Sequence, residues 1–290
     1  MSDLCCLITD NGSYRPESTF SLRSLAERLG ERVSHEIHAV SLLHSTKIDP
    51  ADLNGVPAEI FEPFLKKKRK EGFNKFHVTP MFFGPSAAIK EYMLQRIDGM
   101  RANGWPELEV RVAPCVVEPL DPEDTRMAQI LVDHIQKAKE EQGYENPSVA
   151  LVDHGAPRST VTDVRNFLGK QLREMLPESG FPQVIPSSME RREGDEYAFN
   201  EPLLENVIGA TGFQDEIIVS MLFASPGRHA GPGGDVAEIC EEAAGKHENL
   251  KWVMTDLCAT HDGLIDILAE RFLQGIESDP VSWEAVKHLY

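Results

Sequence analysis

Short apolar runs bounded by turn residues alternate along the chain with segments whose apolar residues recur at helical spacing. This alternation is typical of parallel α/β architecture, in which a helix connects each strand to the next. In the first half the pattern predicts strands at residues 4–9, 36–43, 75–82 and 109–117. Helices are predicted at 19–29, 58–70, 87–103 and 122–142, with Ser18 capping the first and Asp121 capping the last.

The second half repeats this order. Strands are predicted at 148–152, 183–186, 216–223 and 251–255, and helices at 160–175, 201–211, 234–244 and 263–275. Residues also match between the halves: Asp10-Asn11-Gly12 with Asp153-His154-Gly155, and Met81-Phe82-Phe83 with Met221-Leu222-Phe223. The repeat predicts two similar flavodoxin-like domains, residues 1–145 and 146–290, each with a four-stranded parallel sheet flanked by helices, and a cleft between them.

Composition narrows the possible functions. The formal net charge of −18 argues against nucleic acid as a partner, because phosphate contacts require a basic surface. The sequence has no membrane-spanning apolar stretch and begins without a recognisable secretory signal. Its five cysteines are scattered and odd in number, which does not fit a disulfide framework. We therefore expect a cytoplasmic protein that binds neither nucleic acid nor membranes.

Three residues with metal-binding side chains follow predicted strands of the second half. His154 follows the first strand, Glu190 the second and His229 the third. Ligands in parallel sheets bind outside the carboxyl ends of the strands, so these side chains are expected to share one crevice. Imidazole and carboxylate suit divalent first-row ions, and fewer than four protein ligands leave coordination positions open. The matching positions in the first half are Asn11, His44 or Ser45, and Ile89, so that half is predicted to have a degenerate site.

The two histidines lie in stretches that resemble the class II chelatases, the sirohydrochlorin cobaltochelatase and ferrochelatase family. Members of that family show a strand followed by His-Gly-Ser-Arg, and a later strand followed by Phe-Leu-x-x-Gly-x-His. The corresponding stretches are residues 151–155 (LVDHG) with Arg158, and residues 222–229 (LFASPGRH). The resemblance covers nearly the whole chain. Three departures are that Pro157 displaces Arg158 by one position, that the loop before Glu190 is longer than usual, and that the histidines lie in the C-terminal half rather than the N-terminal half.

The resemblance implies two chelatase-type domains and a lyase that inserts a divalent metal, Fe²⁺ or Co²⁺, into sirohydrochlorin for siroheme or cobalamin synthesis. Ni²⁺ and Zn²⁺ are further possible substrates, and no tightly bound cofactor is expected. His154, His229 and Glu190 would handle the metal and the two pyrrole protons, since histidine titrates near neutrality. Four arginines are expected to bind the carboxylates of the tetrapyrrole. These are Arg158, Arg191, Arg192 and Arg228. A monomer is expected because the duplication already supplies two walls of a cleft.

Two other functions remain open at this point. The chain could be a tetrapyrrole or metal carrier or sensor without turnover, because a fold does not determine a function. A metal-dependent hydrolase fits less well, since the sequence shows neither H-E-x-x-H nor paired aspartates. A single histidine after a strand is more often a hydrogen-bonded turn residue than a ligand, so the metal site depends on His154 and His229 acting together.

Overall fold

Two parallel β-sheets organise the computed structural model, which describes residues 4–289. The first sheet has the order β3-β2-β1-β4-β5, and all its neighbouring strands are parallel. Its strands are β1 (Leu4–Thr9), β2 (Ile37–Ser41), β3 (Glu59–Ile60), β4 (Lys75–Pro80) and β5 (Glu109–Val112). The predicted parallel α/β fold is confirmed, but this sheet has five strands rather than four, because the short β3 adds an edge strand within the segment predicted to be helical.

The helices that follow these strands are α1 (Pro16–Val33), α2 (Phe61–Lys70) and α3 (Leu94–Ala102), the last preceded by a π-helical segment at Ala88–Met93. The predicted cap at Ser18 is wrong. Helix α1 begins at Pro16 with Arg15 at its N-cap, and proline fits the first helical turn because its missing N–H has no partner there anyway. Phe20, predicted to face the core, is 36% exposed, whereas Leu25 and Leu29 are buried as expected.

The second sheet has the order β7-β6-β8-β9 and is parallel throughout. Its strands are β6 (Ser148–Asp153), β7 (Val184–Ser188), β8 (Glu216–Met221) and β9 (Lys251–Met254). The remaining helices are α4 (Arg126–Gln142), α5 (Ser159–Met175), α6 (Leu204–Val207), α7 (Asp235–Ala244), α8 (Gly263–Ile276) and α9 (Trp283–Val286).

Two of these helices differ by more than one residue from their predicted bounds. Helix α4 begins at Arg126 rather than Pro122, because the preceding residues form a turn in which the Asp121 side chain accepts a hydrogen bond from the N–H of Glu123 at 3.0 Å. Helix α6 spans four residues rather than the predicted 201–211. Gly209 and Gly212 have φ values of 88° and 85°, which a right-handed helix does not contain.

The chain divides into two compact units whose bounds differ from the predicted boundary at residue 145. Unit 1 runs to Pro119 and resumes at Ile265, and unit 2 spans Leu120–Leu264. Helix α4 therefore belongs to unit 2, where Lys139 donates a hydrogen bond to the carbonyl of Gly180 at 3.0 Å. Most of helix α8 belongs to unit 1. Each unit thus contains the helix that follows the last strand of the other, an exchange that the periodicity of the helices does not reveal.

The segment after α8 packs on unit 1. Val281, Trp283 and Val286 contact the apolar cluster around Phe76 and Trp105. The N–H of Val281 donates a hydrogen bond to the carbonyl of Val110 at 2.8 Å, so the segment is joined to the end of the first sheet. The sequence pattern indicated no role for this tail, and the structure places it, partly buried, against the core of unit 1.

Backbone hydrogen bonds define how the two halves correspond. The N–H of Met81 donates to the carbonyl of Thr9 at 2.7 Å, and the N–H of Leu222 donates to that of Val152 at 2.9 Å. Met81 therefore corresponds to Leu222, one position beyond the predicted match with Met221. The match of residues 10–12 with 153–155 is supported by Gly12 and Gly155, which share a φ of 89°.

All five cysteines are buried and free. Among residues 4–289, no helix is long and apolar enough to cross a membrane.

Candidate functional site

Three neighbouring strands of the second sheet bring the predicted site residues to one edge. Strands β7, β6 and β8 are adjacent. His154 comes directly after β6, and Glu190 lies two residues after the end of β7. His229 lies in the loop between β8 and α7. Because the strands are parallel, their carboxyl ends meet at the same side of unit 2.

The two histidines are in direct contact. Their ring centroids lie 4.5 Å apart, and the rings meet edge to face at an interplanar angle of 83°. His154 has 46% of its side chain exposed and His229 has 31%, so a molecule from solvent can reach both. The two side chains that were expected to share one crevice therefore lie side by side.

Each imidazole has one nitrogen held by an acceptor. Nδ1 of His154 lies 3.0 Å from the carbonyl oxygen of Gly155, and Nδ1 of His229 lies 2.7 Å from Oδ2 of Asp235. A carbonyl or carboxylate oxygen can only accept, so an Nδ1–H is the donor in both contacts. For His229 this leaves the lone pair of the neutral ring on Nε2, whereas His154 has an acceptor near each of its nitrogens. Nε2 of His154 in turn lies 3.5 Å from Oε1 of Glu190.

Asp235 is a site residue that the sequence analysis did not identify. It is the first residue of α7, and its carboxylate also lies 3.6 Å from Nε of Arg228. Its signal in the sequence is weak, because an acidic residue in the first turn of a helix is explained equally well by the helix dipole. Only the folded loop between Arg228 and Asp235 shows that the carboxylate turns back to His229.

A buried polar network lies beneath His154. Nη1 of Arg165 is 3.7 Å from Oδ1 of Asp153, the residue before His154, and the guanidinium also donates to the hydroxyl of Ser188. That hydroxyl donates to Oδ1 of Asp153 at 2.6 Å. Arg165 further donates to the carbonyl of Asn200 at 2.9 Å. The network joins the ends of β6 and β7 through α5, which fixes the backbone that carries His154 and Glu190.

Burial governs the charges in this network. It raises the pKa of Asp153, and the positive charge of Arg165 opposes that rise. Burial also lowers the pKa of Arg165, with the carboxylate of Asp153 acting in the opposite direction. Each group is therefore the main charge that compensates the other in an apolar environment.

A glycine allows the loops of His154 and Glu190 to approach. Gly155 has a φ of +89°, and a Cβ atom at this position would lie 1.9 Å from the carbonyl oxygen of Glu190. The N–H of Glu190 donates to the carbonyl of His154 at 3.2 Å across the same contact. A side chain larger than hydrogen at Gly155 would force the two segments apart.

The four arginines occupy different environments. Arg191 donates from Nε to Glu201 at 2.8 Å, and Arg192 lies with its guanidinium carbon 5.8 Å from the centroid of the Tyr197 ring. Arg158 is the N-cap residue of α5. Arg228 is 78% exposed and precedes His229 in the chain, which makes it the arginine best placed to meet an anionic molecule at the histidine pair.

The matching edge of unit 1 lacks these features. Asn11 occupies the position of His154, and the backbone hydrogen bond from Leu43 to Asn11 repeats that from Glu190 to His154, so Leu43 corresponds to Glu190. This corrects the predicted match of Glu190 with His44 or Ser45. At the helix position of Arg165, unit 1 has Leu22.

The support network is correspondingly incomplete in unit 1. Among the residues that the structure describes, Oδ1 of Asp10 and Oγ1 of Thr19 are buried without a hydrogen-bond partner. Their counterparts in unit 2, Asp153 and Thr162, bond to Ser188 and Asn200. The polar arrangement beneath the edge is thus complete in unit 2.

The described residues contain no group of three or more His, Cys, Asp or Glu side chains positioned to hold a metal ion. His154, His229 and Glu190 therefore offer a pair of imidazole nitrogens with an adjacent carboxylate, and not a closed ligand cage. Such an arrangement can accept protons, and the two imidazoles can offer donor atoms to an ion that has other ligands.

Comparisons with known proteins agree with the fold. SirB from Bacillus subtilis, solved with Fe³⁺, matches with a TM-score of 0.67 and 14% sequence identity over 94% of this chain and 96% of its own. CbiX, described as the terminal enzyme of siroheme biosynthesis in denitrifying bacteria, matches with a TM-score of 0.57 and 13% identity over 93% of this chain and 97% of its own.

A third similar structure is DR2241 from Deinococcus radiodurans, a multi-domain protein described as structurally similar to chelatases. It matches with a TM-score of 0.56 and 14% identity over 99% of this chain and 60% of its own. No protein-family model and no curated protein sequence matches the chain. At these identities the structural matches establish the fold: the chain has the two-sheet α/β fold of SirB and CbiX.

Proposed function

We propose that this protein is a tetrapyrrole chelatase, a lyase that inserts a divalent metal, Fe²⁺ or Co²⁺, into sirohydrochlorin at the strand edge of unit 2. The observation that carries the proposal is the contact between His154 and His229, with ring centroids 4.5 Å apart, beside Glu190 on a chelatase fold. Siroheme or cobalamin synthesis would be the pathway served.

The chemistry of insertion suits these residues. Metal entry displaces two pyrrole N–H protons, and two imidazoles can accept them through their Nε2 atoms, because the ordinary pKa of histidine lies close to neutrality. The same Nε2 atoms can replace water on the incoming ion. Because the protein supplies two imidazoles and one exposed carboxylate, the ring nitrogens of the tetrapyrrole would complete the coordination, and the ion would leave with the product.

Glu190 and the arginines have supporting parts in this proposal. Oε1 of Glu190 lies 3.5 Å from Nε2 of His154 and its side chain is 60% exposed, so it can take a proton from the imidazole and release it to solvent. Arg228, together with Arg158, Arg191 and Arg192, would offset the carboxylates of the tetrapyrrole. The protein as a whole is acidic, which makes local cations necessary for an anionic substrate.

The test is anaerobic absorbance spectroscopy with sirohydrochlorin and Fe²⁺, Co²⁺ or Ni²⁺, comparing the protein with His154→Ala and His229→Ala. We expect metal-dependent spectral conversion above the uncatalysed rate, reduced about 100-fold or more in either variant because each removes a proton acceptor. His44→Ala is the matched control, since His44 lies at the corresponding edge of unit 1 and its loss should leave the rate unchanged.

Two results would contradict the proposal. Saturable tetrapyrrole binding with no acceleration by any metal would indicate a carrier or sensor on the chelatase fold. Loss of metal insertion in His44→Ala, with both unit 2 variants still active, would indicate that the site lies in unit 1.

A further inference from the structure

The carboxylate of Asp235 determines which nitrogen of His229 faces the site. Its Oδ2 lies 2.7 Å from Nδ1 of His229, a short contact for an N–H donor and a charged acceptor. An ionised carboxylate has no proton to donate, so the imidazole proton is held on Nδ1. The lone pair of the neutral ring is then on Nε2.

Asp235 is held in place by the backbone on both sides of the histidine. Its N–H donates to the carbonyl of Arg228 at 3.2 Å, and the N–H of Val236 donates to the carbonyl of His229 at 3.2 Å. The carboxylate lies at the N-terminal end of the ten-residue helix α7, where the helix dipole favours a negative charge. The loop and the helix end thus form a rigid frame around the contact.

His154 is held differently. Its Nδ1 faces the carbonyl of Gly155 at 3.0 Å, which is a neutral acceptor, and its Nε2 faces Glu190 at 3.5 Å. A carboxylate acceptor orients an imidazole more strongly than a carbonyl does and makes its free nitrogen a better donor to a metal. The two histidines are therefore supported by chemically different groups.

We propose that Asp235 is a positioning residue that fixes His229 in the Nδ1–H tautomer, so that His229 is the principal imidazole donor to an incoming divalent ion and His154 exchanges protons with Glu190. The assignment of metal binding to His229 and proton exchange to His154 rests on the proposed function. The tautomer that Asp235 imposes does not, because it is a property of the protein without substrate.

The first measurement is ¹⁵N–¹H NMR of the histidine side chains at a pH where the rings are neutral, on the full chain and on Asp235→Asn. In the full chain we expect the Nδ1–H tautomer of His229 to exceed the Nε2–H tautomer at least tenfold. In Asp235→Asn we expect the Nε2–H form to increase at least tenfold, because an amide can donate to Nδ1 as well as accept from it. Glu238→Gln, an exposed acidic residue on the same helix, is the matched control and should leave the tautomer unchanged.

The second measurement is titration of each protein with Co²⁺ alone. We expect Asp235→Asn to weaken binding about 10- to 100-fold and Glu238→Gln to leave it unchanged, as for other carboxylates that orient a metal-binding histidine. A full chain in which His229 carries its proton on Nε2 would overturn the proposal, and this result needs no variant to fold. Unchanged tautomer and Co²⁺ affinity in folded Asp235→Asn would also overturn it. Failure of metal insertion, with the tautomer as expected, would refute the proposed function and leave the role of Asp235 intact.

Discussion

Arg165 and Asp153 form an ion pair inside unit 2, with Nη1 of the arginine 3.7 Å from Oδ1 of the aspartate and 1% and 9% of their side chains exposed. The pair lies directly beneath His154, and Leu22 takes the place of the arginine in unit 1. A buried charge without its partner is costly, so the pair links the stability of unit 2 to the geometry of the strand edge.

Arg165→Leu should destabilise the protein by about 3–5 kcal/mol, because it leaves Asp153 buried without its cation. The pKa of Asp153 is already raised by burial and should rise further when the opposing arginine is lost. A raised pKa means that the folded state binds more protons than the unfolded state above the ordinary pKa of aspartate, so stability falls as pH increases. Urea unfolding should therefore show that Arg165→Leu loses more stability, relative to the unmodified protein, at pH 7 than near pH 4. Arg173→Leu, an exposed arginine on the same helix, should cost less than about 1 kcal/mol, and an equal loss in both variants would contradict this account.

Gly155→Ala should separate the loops that carry His154 and Glu190. The new Cβ would lie 1.9 Å from the Glu190 carbonyl oxygen. Alanine at this position would also have to adopt the positive φ of Gly155. Gly104→Ala is a suitable control, because Gly104 lies outside the site and also has a positive φ but no atom within 4 Å of the added Cβ. We expect the control to cost about 1 kcal/mol in thermal unfolding and Gly155→Ala to cost more and to reduce metal insertion. Equal effects of the two substitutions on stability and rate would show that the loop contact is unimportant.

Glu190→Gln should lower the rate of metal insertion about tenfold while leaving stability within about 0.5 kcal/mol of the unmodified protein, because the side chain is 60% exposed. The amide has the same shape but does not accept a proton from His154. Glu193→Gln is the control, being an exposed glutamate in the same loop. A full insertion rate in Glu190→Gln would remove Glu190 from the proposed site.

His77 should make stability depend on pH below neutrality. Burial, with a contribution from Arg111, lowers its pKa to about 4. The unfolded state, in which the pKa is about 6.5, binds the proton first, so stability is lost as pH falls from about 6.5 to about 4, by up to about 3 kcal/mol. His77→Leu removes this contribution, so chemical denaturation should show the variant losing less stability over that range. His288→Gln, which changes an exposed histidine in the C-terminal segment, should follow the unmodified protein. Parallel pH profiles for His77→Leu and the unmodified protein would contradict the prediction.

Much of the fold could be predicted because each strand and helix is encoded locally. Strand β1 was predicted to the residue, and α7 and α8 to within one residue, since apolar periodicity and flanking glycines mark them clearly. Elements whose ends depend on single turn residues were predicted less well. The helix predicted at 201–211 was longer than α6, because the positive φ values of Gly209 and Gly212 arise only in the folded loop.

The candidate site divides in the same way. His154, Glu190 and His229 could be singled out because each follows a predicted strand, and parallel strands bring their carboxyl ends to one edge. Asp235 and Arg165 could not, since an acid at a helix start and an arginine within a helix each have an ordinary surface explanation. The role of Asp235 depends on its contact with His229 across a loop, and that of Arg165 on its contact with Asp153 at the end of a strand.

By itself, the sequence determined the alternation of strands and helices, the duplication and the histidines at the strand ends, because these follow from local periodicity and from the order of residues along the chain. Tertiary structure alone decided that α4 and α8 belong to the unit of the opposite half, that Leu43 rather than His44 corresponds to Glu190, and that Asp235 orients His229. The physical reason is that the apolar face of a helix fits more than one sheet, and a carboxylate has no defined partner until the backbone brings a donor within hydrogen-bonding distance.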